Sequence, residues 1–222
     1  MASFGNLVIP LIGMFIILSL TFFNKVSAGD PDMLQDVCVA DMKSGILVNG
    51  FVCKANISPN DFFSAILATP GVIDKKIGSI VTAANVMTAI PGLNTLGISM
   101  ARIDFAPGGG ENPPHTHPRA TEILIVLEGQ LDVGFVTTNN VLIAKNIKKG
   151  EVFVFPRGLI HFQVNNGYDP AVAIAALNSQ LPGTQRIDSA LYAIPDYSDV
   201  TKAAFKTENK EVNKKMKSRI AP

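Results

Sequence analysis

Beyond residue 70 the chain is written in short apolar runs broken by Gly, Pro and Asn, and this punctuation constrains the fold more than any other feature. Runs at residues 95–105, 121–127, 131–137, 151–155, 161–164 and 171–177 are rich in Ile, Val and Phe. Branched and aromatic side chains fit a pleated surface, so these runs are read as strands of a sandwich or barrel. No βαβ rhythm is present. Residues 123–127, Ile-Leu-Ile-Val-Leu, are apolar on both alternating faces, so neither face is expected to be left in water. That pattern points to a subunit interface.

Two helical stretches bracket the strands. Ser58-Pro59-Asn60-Asp61 has a hydroxyl cap, Pro at the first helical position and an acid three residues after the cap. A helix to about Leu67 is expected, ended by Thr69-Pro70-Gly71. Past Pro195 the pattern predicts two short helices, 199–206 and 208–218, too polar outside to form a core of their own. With 222 residues, 47% hydrophobic and 17% charged, the chain is read as one domain. A net charge of +1 gives no reason to expect nucleic acid or an anionic membrane as partner. The basic run at 210–217, interrupted by Glu211 and Val212, reads as a solvated helix face.

Residues 1–28 differ sharply from the rest. An apolar run at 7–23 is short for a membrane span, and Val26-Ser27-Ala28 offers small residues for cleavage. A signal peptide is expected there, with an uncleaved signal anchor as the alternative, because residues 1–6 lack the usual Lys or Arg. The mature domain then covers 29–222. A secreted chain folds in an oxidising compartment, so its two cysteines, Cys38 and Cys53, are expected to pair. In the chain-entropy model the bond contributes about 3 kcal/mol. Asn56-Ile57-Ser58 fits the N-glycosylation pattern, although Pro59 directly after it weakens that expectation.

The chain has three histidines, and two of them stand in Pro113-Pro114-His115-Thr116-His117-Pro118-Arg119-Ala120-Thr121-Glu122. Residues i and i+2 of an extended segment share a face, so His115 and His117 can converge on one ion. Period-2 counting puts Glu122 on the opposite face, and a turn at Pro118 is needed to bring it back. His161 follows the turn Phe155-Pro156-Arg157-Gly158, with Gln163 on its face and Phe162 and Val164 on the other. A buried imidazole is costly unless paired or ligated. Three imidazoles and a carboxylate suit Mn, Fe, Zn, Cu or Ni, and spacing alone does not choose among them.

The spacing also resembles a known family. Gly109, His115, His117, Glu122 and Gly129 match the first cupin motif, and Gly150, Pro156, Gly158, His161 and Asn165 match the second. Residues 34–41 are similar to the N-terminal box of the plant germin and germin-like proteins, and the resemblance covers the whole mature chain. It implies an all-β jelly-roll barrel at about 72–195 with short N-terminal and C-terminal helices, the latter at about 196–220. It further implies a manganese ion, a hexamer built from three dimers, and residence in the apoplast or cell wall. Gly129, Gly150 and Gly158 then fall at tight turns between strands.

The resemblance also frames the activity. Oxalate oxidases of the family hold substrate with two asparagines; Asn112 matches one, while Ala101 stands where the other belongs, and an extra residue sits near Gly110 and Glu111. Losing an amide contact to a carboxylate costs about 1.5–3 kcal/mol, so oxalate oxidase is not expected. Superoxide dismutation needs only a redox ion with an open position, and the ion's two charges less that of Glu122 leave a site attractive to a small anion. The rival expectation is a non-catalytic cell-wall or receptor-like binding protein whose metal is structural. A role in plant defence is carried by the family alone. Asn112 is expected at the cavity mouth, Arg119 in a structural ion pair or interface contact, and Phe153, Phe155 and Phe162 in the core.

Overall fold

The computed structural model describes residues 35–47 and 50–192. The expected signal segment and the helices at 199–206 and 208–218 lie outside the described residues. The described chain forms two antiparallel five-stranded sheets. The first runs β1 (Ser79–Ala84), β2 (Ser99–Phe105), β9 (Ala171–Leu177), β4 (Glu122–Glu128) and β7 (Val152–Phe155). The second runs β10 (Gln185–Arg186), β3 (Gly110–Thr116), β8 (Ile160–Asn165), β5 (Gln130–Val136) and β6 (Leu142–Lys148). From β3 to β5, and again from β7 to β10, the chain alternates between sheets, and the result is the expected jelly roll. One short helix, α1 (Ile187–Tyr192), follows β10. Among the described residues no helix is long and apolar enough to cross a membrane.

Alternate residues of the strands fill the space between the sheets. Ile103 and Phe105, Leu124 and Val126, Leu131 and Val133, Ile147 and Phe155 are all essentially without solvent contact. Burying each such side chain contributes about 1.5–3 kcal/mol. Their neighbours on the first sheet point outward: Ile123, Leu127, Val152 and Val154 are between 40% and 49% exposed. The doubly apolar run therefore has one face in the core and one bare apolar face on the single chain.

The expected helix at 58–67 is corrected to a single 3-10 turn, Pro59–Phe62. Asp61 accepts from the Ser58 N–H at 2.7 Å and the Ser58 hydroxyl at 3.1 Å, and pairs with Lys54 at 2.5 Å. The start signal is thus used, but the chain beyond leaves the helix, extends at Phe63 and makes a separate turn in which the Ala68 N–H donates to the Ala65 carbonyl at 2.9 Å. Gly71 N–H donates to Asp104 at 3.0 Å, and Arg102 reaches the Leu67 carbonyl at 3.4 Å. The run at 95–105 begins pairing only at Ser99, because a 3-10 turn at Pro91–Leu93 and a left-handed Thr95 precede it. Phe162 is corrected as well: it is half-buried on the face opposite His161, packed over Gly134, whereas Phe155 is fully buried and Phe153 packs against the core.

Cys38 and Cys53 form the expected disulfide, with Cα atoms 4.8 Å apart. Asn94, fully buried, fastens this loop to the barrel by accepting from the Phe51 N–H at 3.0 Å and donating to its carbonyl at 2.8 Å.

Candidate metal centre

Both sheets contribute to one cluster. His115 lies in β3 directly opposite His161 of β8, and their ring centroids are 4.2 Å apart. β3 carries Pro113 and Pro114, which donate no ladder hydrogen bond, and its register against β8 shifts between Asn112 and His115. His117 stands just past the end of β3, where its carbonyl accepts from the Gly158 N–H at 3.1 Å. The turn at 118–120 then carries the chain into the other sheet, and Glu122 opens β4 opposite Leu177 and Phe155. The strand parity that set Glu122 against His117 is therefore irrelevant: a sheet crossing, larger than a reset within one strand, turns it inward.

All four side chains are buried, and one ligand atom from each lies within 4.8 Å of the others. Glu122 Oε2 is 2.9 Å from His117 Nε2 and 3.4 Å from His161 Nε2. Each imidazole is fixed from behind by a backbone carbonyl: His115 Nδ1 to Pro113 at 2.7 Å, His117 Nδ1 to Gly183 at 2.6 Å, His161 Nδ1 to Leu159 at 2.9 Å. A carbonyl can only accept, so each Nδ1 carries a proton and each Nε2 is left facing the cluster, free to offer a lone pair to a cation or, in His117 without one, to donate to Glu122. His161 is further held by stacking on Phe155, 4.6 Å between centroids.

A carboxylate and three imidazoles gathered in a dry interior are costly unless paired or ligated, and one cation among them would take the Glu122 charge and all three Nε2 lone pairs at once. His161 Nε2 has no hydrogen-bond partner of proper geometry, which fits a ligand atom. Carbonyl-anchored imidazoles are also the usual support of metal ligands. Burial pushes the His115 imidazole down to about 4, with His161 beside it adding to the effect. Burial raises the Glu122 carboxyl, but His117 and His161 outweigh it and hold the group low, at about 2. For His117 burial acts downward, and Glu122 with the Gly183 carbonyl reverses it.

A cavity of about 400 Å³ opens beside the cluster, lined among others by Asn112, Ala101, Ala175 and Leu177. Asn112 lines this cavity from within β3, and its amide donates to Gln163 at 2.8 Å. Gln163 is fully buried on the His161 face, where its alternation with Phe162 placed it; its contact with Asn112 was not foreseen. Arg119 meets backbone instead of a carboxylate, donating to the Leu181 carbonyl at 2.8 Å on the segment that also supplies the Gly183 carbonyl. The turn glycines behave as expected, Gly129 at φ 72°, Gly150 at 84° and Gly158 at 77°.

Comparison with known proteins agrees with this geometry. The Cupin family model matches residues 66–213. A germin-like protein, subfamily 2 member 1, of Arabidopsis thaliana is 55% identical over 219 residues, 96% of this chain and 98% of its own. The rhicadhesin receptor of Pisum sativum is 62% identical over 195 residues, 86% of this chain and 88% of its own. A solved structure of oxalate oxidase superposes with a TM-score of 0.80 at 42% identity, covering 87% of this chain and 98% of that one. Fold, two-sheet His/Glu cluster and near full-length similarity together establish that the chain belongs to the germin-like proteins of the cupin superfamily.

Proposed function

We propose that the protein is a secreted manganese-binding germin-like protein that dismutates superoxide, with His115, His117, Glu122 and His161 as the metal ligands. The observation that carries this reading is the set of three carbonyl-anchored imidazoles whose free ring nitrogens converge with the Glu122 carboxylate. When bound, manganese supplies one-electron redox chemistry. Four protein ligands fall short of the six that an octahedral ion takes, and a cavity adjoins them. Glu122 offsets one of the ion's two charges, so the site attracts a small anion. Asn112, half-buried at the cavity, offers that anion a polar contact.

Oxalate oxidase activity is not part of the proposal. Ala101, buried in the cavity wall, supplies no hydrogen bond for a second carboxylate. The disulfide suits an oxidising compartment, and with the apolar run at residues 7–23 it supports secretion to the apoplast or cell wall. The bare outer face around Ile123 and Val154 supports a homo-oligomer, the hexamer of the family. Asn56 is exposed and is the acceptor for any N-linked glycan.

A second reading, a cell-wall binding protein with a structural metal, is favoured by the 62% identity to the rhicadhesin receptor. The two are separated by assaying manganese-loaded protein and its His115→Ala variant for dismutase activity, before and after chelation. Chelation-sensitive activity absent from the variant supports the enzyme. Equal activity in both refutes it, and a bound metal without activity supports the second reading.

A further inference from the structure

We propose that the cavity beside the metal centre takes a hydroxylated aromatic monocarboxylate, whose hydroxyl is recognised by Ser99. The inference rests on the metal-centre reading and names the ligand class of that site. Two cross-strand rows of the first sheet line the cavity. The register across β1, β2, β9 and β4 sets Ala83, Ala101, Ala175 and Leu124 in one row. The next row holds Ser99, Leu177 and Glu122.

Three alanines side by side leave room that larger core side chains would fill. The cavity of about 400 Å³ exceeds what one ring needs, since an apolar cavity of roughly 150 Å³ admits benzene. Its other walls include Val81, Ile103, Leu177 and Leu181. A small dianion would leave this apolar surface uncovered, whereas a ring covers it. Ala101 thus has two consequences: no amide for a second carboxylate, and space for a ring.

Ser99 supplies the independent sign of a ligand. It is 2% exposed, lines the cavity, and its Oγ has no hydrogen-bond partner. A buried hydroxyl in that condition is costly unless a bound group completes it. One strand separates it from Glu122, so their Cα atoms stand two strand spacings apart, about 9.6 Å. A carboxylate drawn to the cation near Glu122, a ring over Leu177 and the alanines, and a para hydroxyl at Ser99 fit that span.

The test is calorimetric titration of manganese-loaded, full-length protein with 4-hydroxybenzoate, benzoate and oxalate, with manganese content measured on each sample. The hydroxylated acid is expected to bind about fivefold more tightly than benzoate, and both more tightly than oxalate. Ser99→Ala should abolish the preference for the hydroxyl while leaving benzoate affinity and metal content unchanged and the melting temperature of the ligand-free protein unchanged or higher. Ala101→Leu, which fills the cavity, should weaken both aromatic acids about tenfold or more with metal retained. Tightest binding of oxalate, no binding of the aromatic acids to loaded protein, or an unchanged hydroxyl preference in Ser99→Ala overturns the inference. Protein without stoichiometric metal overturns the metal-centre reading instead, and the metal analysis shows it separately.

Discussion

Replacing His161 by alanine separates its packing in the barrel from the metal binding proposed for it. The ring is 1% exposed and stacks on Phe155, so its loss leaves a cavity. Aromatic-to-alanine changes in cores cost about 3–5 kcal/mol, and the smaller imidazole belongs at about 3. Against this, the substitution removes a buried nitrogen without a hydrogen-bond partner, which returns about 1–3 kcal/mol. With metal chelated, variant and native protein should therefore unfold within about 2 kcal/mol of each other. With metal present they diverge. A ligand at a hundred times its Kd stabilises by about 2.7 kcal/mol, which for a chain of this size is a rise in Tm of about 5–11 °C. Differential scanning calorimetry with manganese and with chelator should show that rise in the native protein and none in His161→Ala. An equal metal-dependent rise in both, or a variant several kcal/mol less stable even under chelator, would rule out this role for His161.

Other perturbations have equally definite outcomes. Leu124→Ala, at a fully buried position between the sheets, should cost about 3–4 kcal/mol in urea unfolding; a loss under 1 kcal/mol would contradict the core assignment. Cys53→Ser should lower stability by about 3 kcal/mol and raise hydrogen exchange around Phe51 without changing metal content. Acidification should release the metal, because the ligands must be unprotonated. In the metal-free chain His117 is raised, so its pairing with Glu122 contributes fully below 6.5 and is lost as pH rises through the folded value. The metal requires that same nitrogen neutral, so the metal-dependent rise in Tm should grow from pH 5 to pH 8; a rise largest at pH 5 would contradict this.

The cluster was legible because three histidines in two spaced motifs leave little choice of partners. The path that brings Glu122 to them was not. Local counting sees Pro118 as an interruption of one strand, whereas the turn at 118–120 sends β4 into the facing sheet. β6 escaped notice because it is an edge strand with Ile147 alone buried, so no alternation marks it. β1, with Thr82, Ala83 and Ala84 at its end, has too little apolar bulk to stand out, although it walls the cavity. β3 contains two prolines that ordinarily exclude a strand, and only the register shift beside His115 accommodates them. The start signal at Ser58 was read correctly, but anchors from Asp104 and Arg102, more than thirty residues away, end the helix after one turn.

A redox metal held by His115, His117, Glu122 and His161 is tested most directly by the metal content of the purified protein, measured by mass spectrometry before and after replacing Glu122 by Gln. About one manganese per chain is expected in the native protein, with loss of most of it in the variant, in which the carboxylate of the cluster is gone. Native protein without a stoichiometric transition metal, or a variant that retains it fully, would overturn the proposed metal site.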